Sequence, residues 1–176
     1  MLAIHVAIAG VDVKVDFDKT FDFRTMHTWG WAEQPLDVKM ARTQTDDPEA
    51  MRRAAEPIVV EAVASEIGRR GLQRAAAGPD LIVTSYLLLT TSMSAQTLGQ
   101  FLPATSAWGL PPFEGVTQSL KMMNRGSLVL DLSAKGTVVW RGVAQANVKF
   151  DADQKKRETL IREAVRDMLK RYPPKS

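Results

Sequence analysis

The stretch "GSLVLDLSAKGTVVWRGVA", residues 126–144, sets a tryptophan beside an arginine, Trp140 and Arg141. An indole and a guanidinium in one pocket could grip a ligand by stacking and charge. Adjacent residues on a strand, however, point to opposite faces of a sheet. Trp140 shares its face with Ala144 and Ala146, so it is expected to pack beneath helices. Arg141 is then left on the other face, to pair with Asp131 or another acid on a neighbouring strand; a cation–π or ligand role is the alternative. Trp29 and Trp31 also share a face. They read either as an aromatic platform for a sugar or peptide, or as packing at a sheet edge. The acids Asp12, Asp16, Asp18 and Asp22 have the density of a calcium loop. Such a loop needs a glycine-permitted turn and a late bidentate acid. No glycine intervenes here, and strand alternation followed by a turn accounts for the spacing.

Other chemistries lack their residues. There is no cysteine, which removes disulfides, thiolate catalysis and cysteine-based zinc sites. The histidines are His5 and His27, too few for a multi-imidazole zinc centre. "GSL" and "TSAWG" are not the G-x-S-x-G elbow of a serine hydrolase. No phosphate-binding loop or dinucleotide fingerprint is present. No catalytic residue, metal ligand or cofactor is therefore assigned. A hydrolase built on paired carboxylates stays open, because such pairs converge only in space. The net charge of +3 and pI near 9.3 are spread along the chain. Without a clustered basic face or a recognition motif, nucleic acid is not expected as a partner.

The elements that would position these residues can be read from periodicity. "VDVKVDF" alternates apolar and polar, as a half-buried strand does. "TMHTWGWAE" reads as a second strand paired with it. Asp46-Asp47-Pro48 suits a helix start. Val59, Val63 and Ile67 then form one buried helical stripe, with Pro57 starting or kinking the helix and Gly71 stopping it. "PDLIVTSYLLLTT" is a central buried strand. Residues 126–148 form a hairpin turning at "SAKG". The last helix is capped by Asp153 and carries the stripe Leu160, Ile161, Ala164, Val165, Met168, Leu169 and Tyr172. The expected fold is an α+β two-layer sandwich: a mostly antiparallel sheet of about five strands, two helices on one face, and one strand pair made parallel by the first helix. Residues 11–176 make a single domain, and residues 1–10, "MLAIHVAIAG", are a signal remnant or an extra strand. A loop at 92–124 carries Phe101, Leu102, Trp108, Leu110 and Phe113. These either dock to a partner or membrane surface, or fold back over the bare sheet face.

Four segments in order, "VDFDKTFDFRTMHTWGW", "PDLIVTSY", "GSLVLDLSAKGTVVWRGVA" and "IREAVRDMLKRYPP", resemble the domain of unknown function 4136, found in bacterial envelope lipoproteins. The resemblance implies an exported protein in the periplasm or on the outer membrane, usually tethered by a lipidated cysteine, with no established catalytic residues. The sequence departs from that pattern at "AIAG", which Val11 follows where a lipobox has cysteine. The 92–124 loop also differs from the tyrosine- and glycine-rich loop of relatives. The expected function is a non-catalytic envelope binding or assembly module. Its partner would be an envelope protein, a glycan or a second copy of itself, and membrane association would come only through a lipid anchor absent from this chain. The alternative is an envelope hydrolase with an acid-based site. The candidate partner-binding residues are Phe101, Leu102, Trp108, Leu110, Phe113, Trp29, Trp31 and Arg141.

Overall fold

The computed structural model describes residues 11–41, 47–90, 126–146 and 153–174. Residues 1–10 and the loop with Phe101, Leu102, Trp108, Leu110 and Phe113 lie outside the described residues. The described elements are strand β1 (Asp12–Phe17), a 3-10 turn (Phe23–Thr25), β2 (Thr28–Ala41), helix α1 (Pro48–Arg69), β3 (Gln73–Arg74), β4 (Leu81–Thr90), β5 (Gly126–Ala134), β6 (Thr137–Ala146) and helix α2 (Gln154–Leu169). The fold is α+β: one mixed sheet in the order β1-β6-β5-β4-β2-β3, with both helices contributing to a single core. The β1–β6, β6–β5 and β5–β4 pairs are antiparallel. The β4–β2 and β2–β3 pairs are parallel.

Three expectations need correction. First, β1 and β2 do not pair with each other; β1 lies at one edge on β6, with Val13 opposite Ala144 and Val15 opposite Gly142. Alternation identifies a strand but not its neighbour. The corner between them is tied down by Asp18, which accepts from Thr20, and by Asp22, which caps the 3-10 turn. Second, β2 does not end with "TMHTWGWAE" but runs on through the polar "PLDVKM" to Ala41. Pro35 has no N–H to give a ladder. The strand accommodates it in an irregular bulge, where the register jumps from Trp31 opposite Val83 to Leu36 opposite Ser85. The Ser85 hydroxyl donates to the Pro35 carbonyl across this gap. Third, the two-residue β3 makes a sixth strand, and of the two expectations for Pro57 the helix start is removed, because Pro57 sits inside α1.

The helices start and stop for local reasons. The Asp47 side chain accepts from the Ala50 amide, with Pro48 in the first turn, where no intrahelical N–H is needed. Gly71, at φ +88°, takes the left-handed conformation just past the end of α1. Leu72 then folds back into the core. Asp153 caps α2 by accepting from the Lys155 amide. The inward stripe of α1, Val59, Val63 and Ile67, meets that of α2, Ala164, Val165, Met168 and Leu169, over Val83, Leu87, Leu89, Leu128, Leu130 and Leu132 of the central strands. Arg162 of α2 ties the two helices at the surface by pairing with Glu61 of α1 at 2.9 Å, and it pairs within α2 with Glu158, also at 2.9 Å.

Candidate functional site

Strand β6 divides Trp140 and Arg141 between two environments, as alternation requires. Trp140 has no exposed surface and meets Tyr172 edge-on at 6.2 Å between ring centroids. Its neighbour on the same face, Gly142, leaves the room that α2 needs. A Cβ there would stand 2.9 Å from the Met168 sulfur and 2.8 Å from the Trp140 ring. The indole therefore seals the sheet against α2. Arg141 lies opposite Asp131 on β5 in the ladder. It donates to both carboxylate oxygens at 2.7 Å, with Asp131 only 1% exposed. Burial holds the Asp131 carboxyl above its ordinary value, against the opposing pull of the Arg141 hydrogen bonds. The tight fork geometry makes this a structural ion pair at the heart of the sheet.

The remaining polar candidates are separated. Trp29 is buried, edge-on to Trp31 at 5.6 Å, and Arg74 lies 6.0 Å over its ring. Trp31 is half-buried, so the pair does not form an open platform. Asp16 accepts from the Phe17 amide, Asp18 from Thr20, and Asp22 from the amide and guanidinium of Arg24. Asp16, Asp18 and Asp22 are thus engaged locally, and among the described residues no group of three His, Cys, Asp or Glu could hold a metal ion. The His27 and Thr28 amides and the Thr28 hydroxyl all donate to Asp80, each at 2.9 Å. Those backbone hydrogen bonds hold the Asp80 carboxyl below the usual carboxylate range. The imidazole of His27 is exposed and joins no catalytic pair among the described residues.

The concave feature with ligand-like chemistry lies elsewhere. An apolar cleft of about 170 Å³ opens between the first half of α1, the start of α2 and the end of β4. Among the described residues it is lined by Met51, Ala54, Ala55, Ile58, Leu87, Leu89, Leu160 and Ile161, with Gln154 and Arg157 as its polar members. Leu87 and Leu89 form a buried floor, while Met51, Ile58, Leu160 and Ile161 stay half-exposed. Helical spacing identifies Leu160 and Ile161 as inward-facing but does not reveal that they face a gap. One signal was available: "QKKR" opens α2 with cations and no acid in its first turn, against the preference of a helix dipole. A second depression, of about 480 Å³, is bounded by Phe17, Phe21, Phe23, Arg24, Pro173 and Pro174 among others; it is wide and polar-rimmed. No described helix is long and apolar enough to cross a membrane.

Solved structures share this architecture. A DUF4136 family protein from Bacteroides thetaiotaomicron matches with a TM-score of 0.54 and 19% identity, over 93% of this chain and 96% of its own. A PDZ domain protein from Parabacteroides distasonis matches with a TM-score of 0.53 and 15% identity, over 96% of this chain but only 38% of its own. This chain therefore spans well under half of that larger protein. A PelC dodecamer from Paraburkholderia phytofirmans is more distant, with a TM-score of 0.42 and 11% identity over 91% of this chain and 95% of its own. No curated protein matches the chain. The family model described as domain of unknown function (DUF4136) matches residues 13–174, nearly the whole sheet and both helices, and the chain belongs to that family.

Proposed function

We propose that this chain is a non-catalytic binding or assembly module of the bacterial cell envelope, working in the periplasm near the outer membrane. One observation carries the binding part of the proposal: the cleft between α1 and α2 is lined by aliphatic side chains, an amide and a guanidinium. A guanidinium stays protonated across the physiological range, and an amide does not titrate there. Neither group is a nucleophile, so this lining suits holding a molecule rather than transforming it. Membership of DUF4136 supports the envelope part, through the lipoproteins that the family resemblance implies.

The test is made on cells. The native gene with its upstream sequence is expressed and the cells are fractionated. The protein is expected with the periplasmic or outer-membrane material, and recovery in the cytosol overturns the envelope assignment. Envelope extracts incubated with purified protein should be returned chemically unchanged. Turnover that disappears when a pair of converging acids is replaced would establish a hydrolase instead.

A further inference from the structure

The geometry points to a ligand of defined class for the inter-helix cleft: a fatty-acid carboxylate, its acyl chain between α1 and α2 and its head group on Arg157. This deepens the binding-module reading and rests on it. Two independent features support it. The first is shape and polarity. A cleft of about 170 Å³ with a floor of Leu87 and Leu89 and walls from Met51, Ile58 and Ile161 is of the size that holds a small apolar body; an engineered cavity of roughly 150 Å³ takes up benzene and excludes water. The cleft is therefore suited to the terminal methylenes of a medium-length chain, the rest of which lies along its open side.

The second feature is charge. The half-buried Arg157 has no ion-pair partner among the described residues. The other half-buried arginines are matched: Arg52 with Glu49 and Glu56, Arg70 with Glu66, Arg162 with Glu61 and Glu158. Lys155 and Lys156 precede Arg157 in the same turn, and that turn holds no acid of its own. Cations at a helix N-terminus oppose the dipole, and the single Asp153 carboxylate at the cap stands against three of them, which leaves this turn favourable to a further anion. A planar carboxylate can take two parallel hydrogen bonds from a guanidinium, which a hydroxyl cannot. The acids closest in sequence are already engaged, Asp153 at the α2 cap and Glu158 with Arg162.

The experiment titrates the full chain with decanoate, decanol and butanoate and follows backbone amide shifts by NMR. Decanoate is expected to bind saturably, with shifts clustered at Ala54, Ile58, Leu89, Arg157 and Ile161. Butanoate, which lacks the chain, should bind at least tenfold more weakly. Arg157→Gln should weaken decanoate by about tenfold and leave decanol unchanged, since a hydrogen bond to a charged group accounts for at least that much. Ile161→Glu, which sets a carboxylate in the cleft, should abolish decanoate binding; a matching amide spectrum confirms that this variant is folded. Absence of saturable decanoate binding, or equal affinities for decanoate in the wild type and Arg157→Gln, overturns the assignment. Neither result touches the envelope reading, which fractionation decides. Release of p-nitrophenolate from p-nitrophenyl decanoate that is lost in Arg157→Gln would place the ligand in the cleft and overturn the non-catalytic reading alone.

Discussion

Asp131 and Arg141 are charged residues in the middle of the sheet, and they have given up water to lie there. Removing one partner leaves the other charge buried and uncompensated, which typically costs about 3–5 kcal/mol. Arg141→Met and Asp131→Leu are each expected to destabilise the protein by about that much, read by urea unfolding. The double substitution should recover a large part of the loss. A double variant as unstable as the sum of the singles would show that the pair does not act as a unit. Tyr172 poses the opposite case. Its ring is held edge-on by Phe23 and Trp140, yet its buried hydroxyl has no hydrogen-bond partner among the described residues. Tyr172→Phe keeps the rings and removes the orphan, so it is expected to stabilise the fold by about 1 kcal/mol at neutral pH. Burial also pushes the Tyr172 phenol up to about 12. An unfolded tyrosine ionises near 10. The wild type therefore keeps the phenol's contribution below that value and loses it as the pH rises from about 10 through 12. The gap between the variant and the wild type should widen over that interval, and alkaline unfolding curves that run parallel would contradict the assignment.

At the scale of elements, one side chain ties the beginnings of the parallel strands β2 and β4. Asp80 stands just before β4 and receives two amides and a hydroxyl from His27 and Thr28 at the mouth of β2. Strands this far apart in the chain are joined through α1, and the carboxylate fixes where their ends meet. The Asp80 carboxyl sits below its ordinary value in the folded state, because its acceptor role favours the charged form. Its contribution is therefore complete above the unfolded value near 4 and fades as the pH falls through the lower folded one. Asp80→Asn should lower Tm at pH 7, and the difference from the wild type should shrink in melts recorded below about pH 4. A constant difference across that range would mean that charge is not the source of the effect. The bulge at Pro35 belongs to the same scale. A proline and a polar run look like a loop in sequence, but hydrogen bonding to β4 keeps the chain extended on both sides of the interruption. Helix boundaries behave differently. Asp47-Pro48, Gly71 and Asp153 each do their work within a few residues, so they are readable from the chain directly.

For the molecule as a whole, β5 and β4 are central and β1 and β3 are edges. The central strands carry Leu81, Val83, Leu88, Val129, Leu130 and Leu132, each with at most 1% of its surface exposed. β1 has only half-buried and exposed positions, and both residues of β3 are exposed. Amide hydrogen exchange should accordingly be slowest in β4 and β5 and fastest in β3, with β1 exchanging through local opening rather than global unfolding. Equal protection in β1 and β5 would mean that the edge opens only with the core. The same layout explains why the cleft lies where it does. The inner stripes of α1 and α2 join one core around Val59, Val63, Val165 and Met168, while the cleft stands between Met51, Ile58 and Leu160 nearer their amino-terminal halves.

What the sequence determined by itself is everything that depends on neighbours along the chain. Alternation on β6 separated Trp140 from Arg141, caps placed both helices, and four ordered segments were enough to identify DUF4136. Asp131 was one of the acids open to Arg141 in sequence, but an irregularity in the ladder between Leu132 and Ser133 sets the register that puts the two opposite each other. Tertiary structure alone decided that β1 pairs with β6 instead of β2, that Pro35 sits within a strand, and that Met51, Leu89 and Ile161 surround one cleft. Those outcomes depend on contacts between residues tens of positions apart. Their energies come from burying apolar surface, and that driving force carries no direction along the chain.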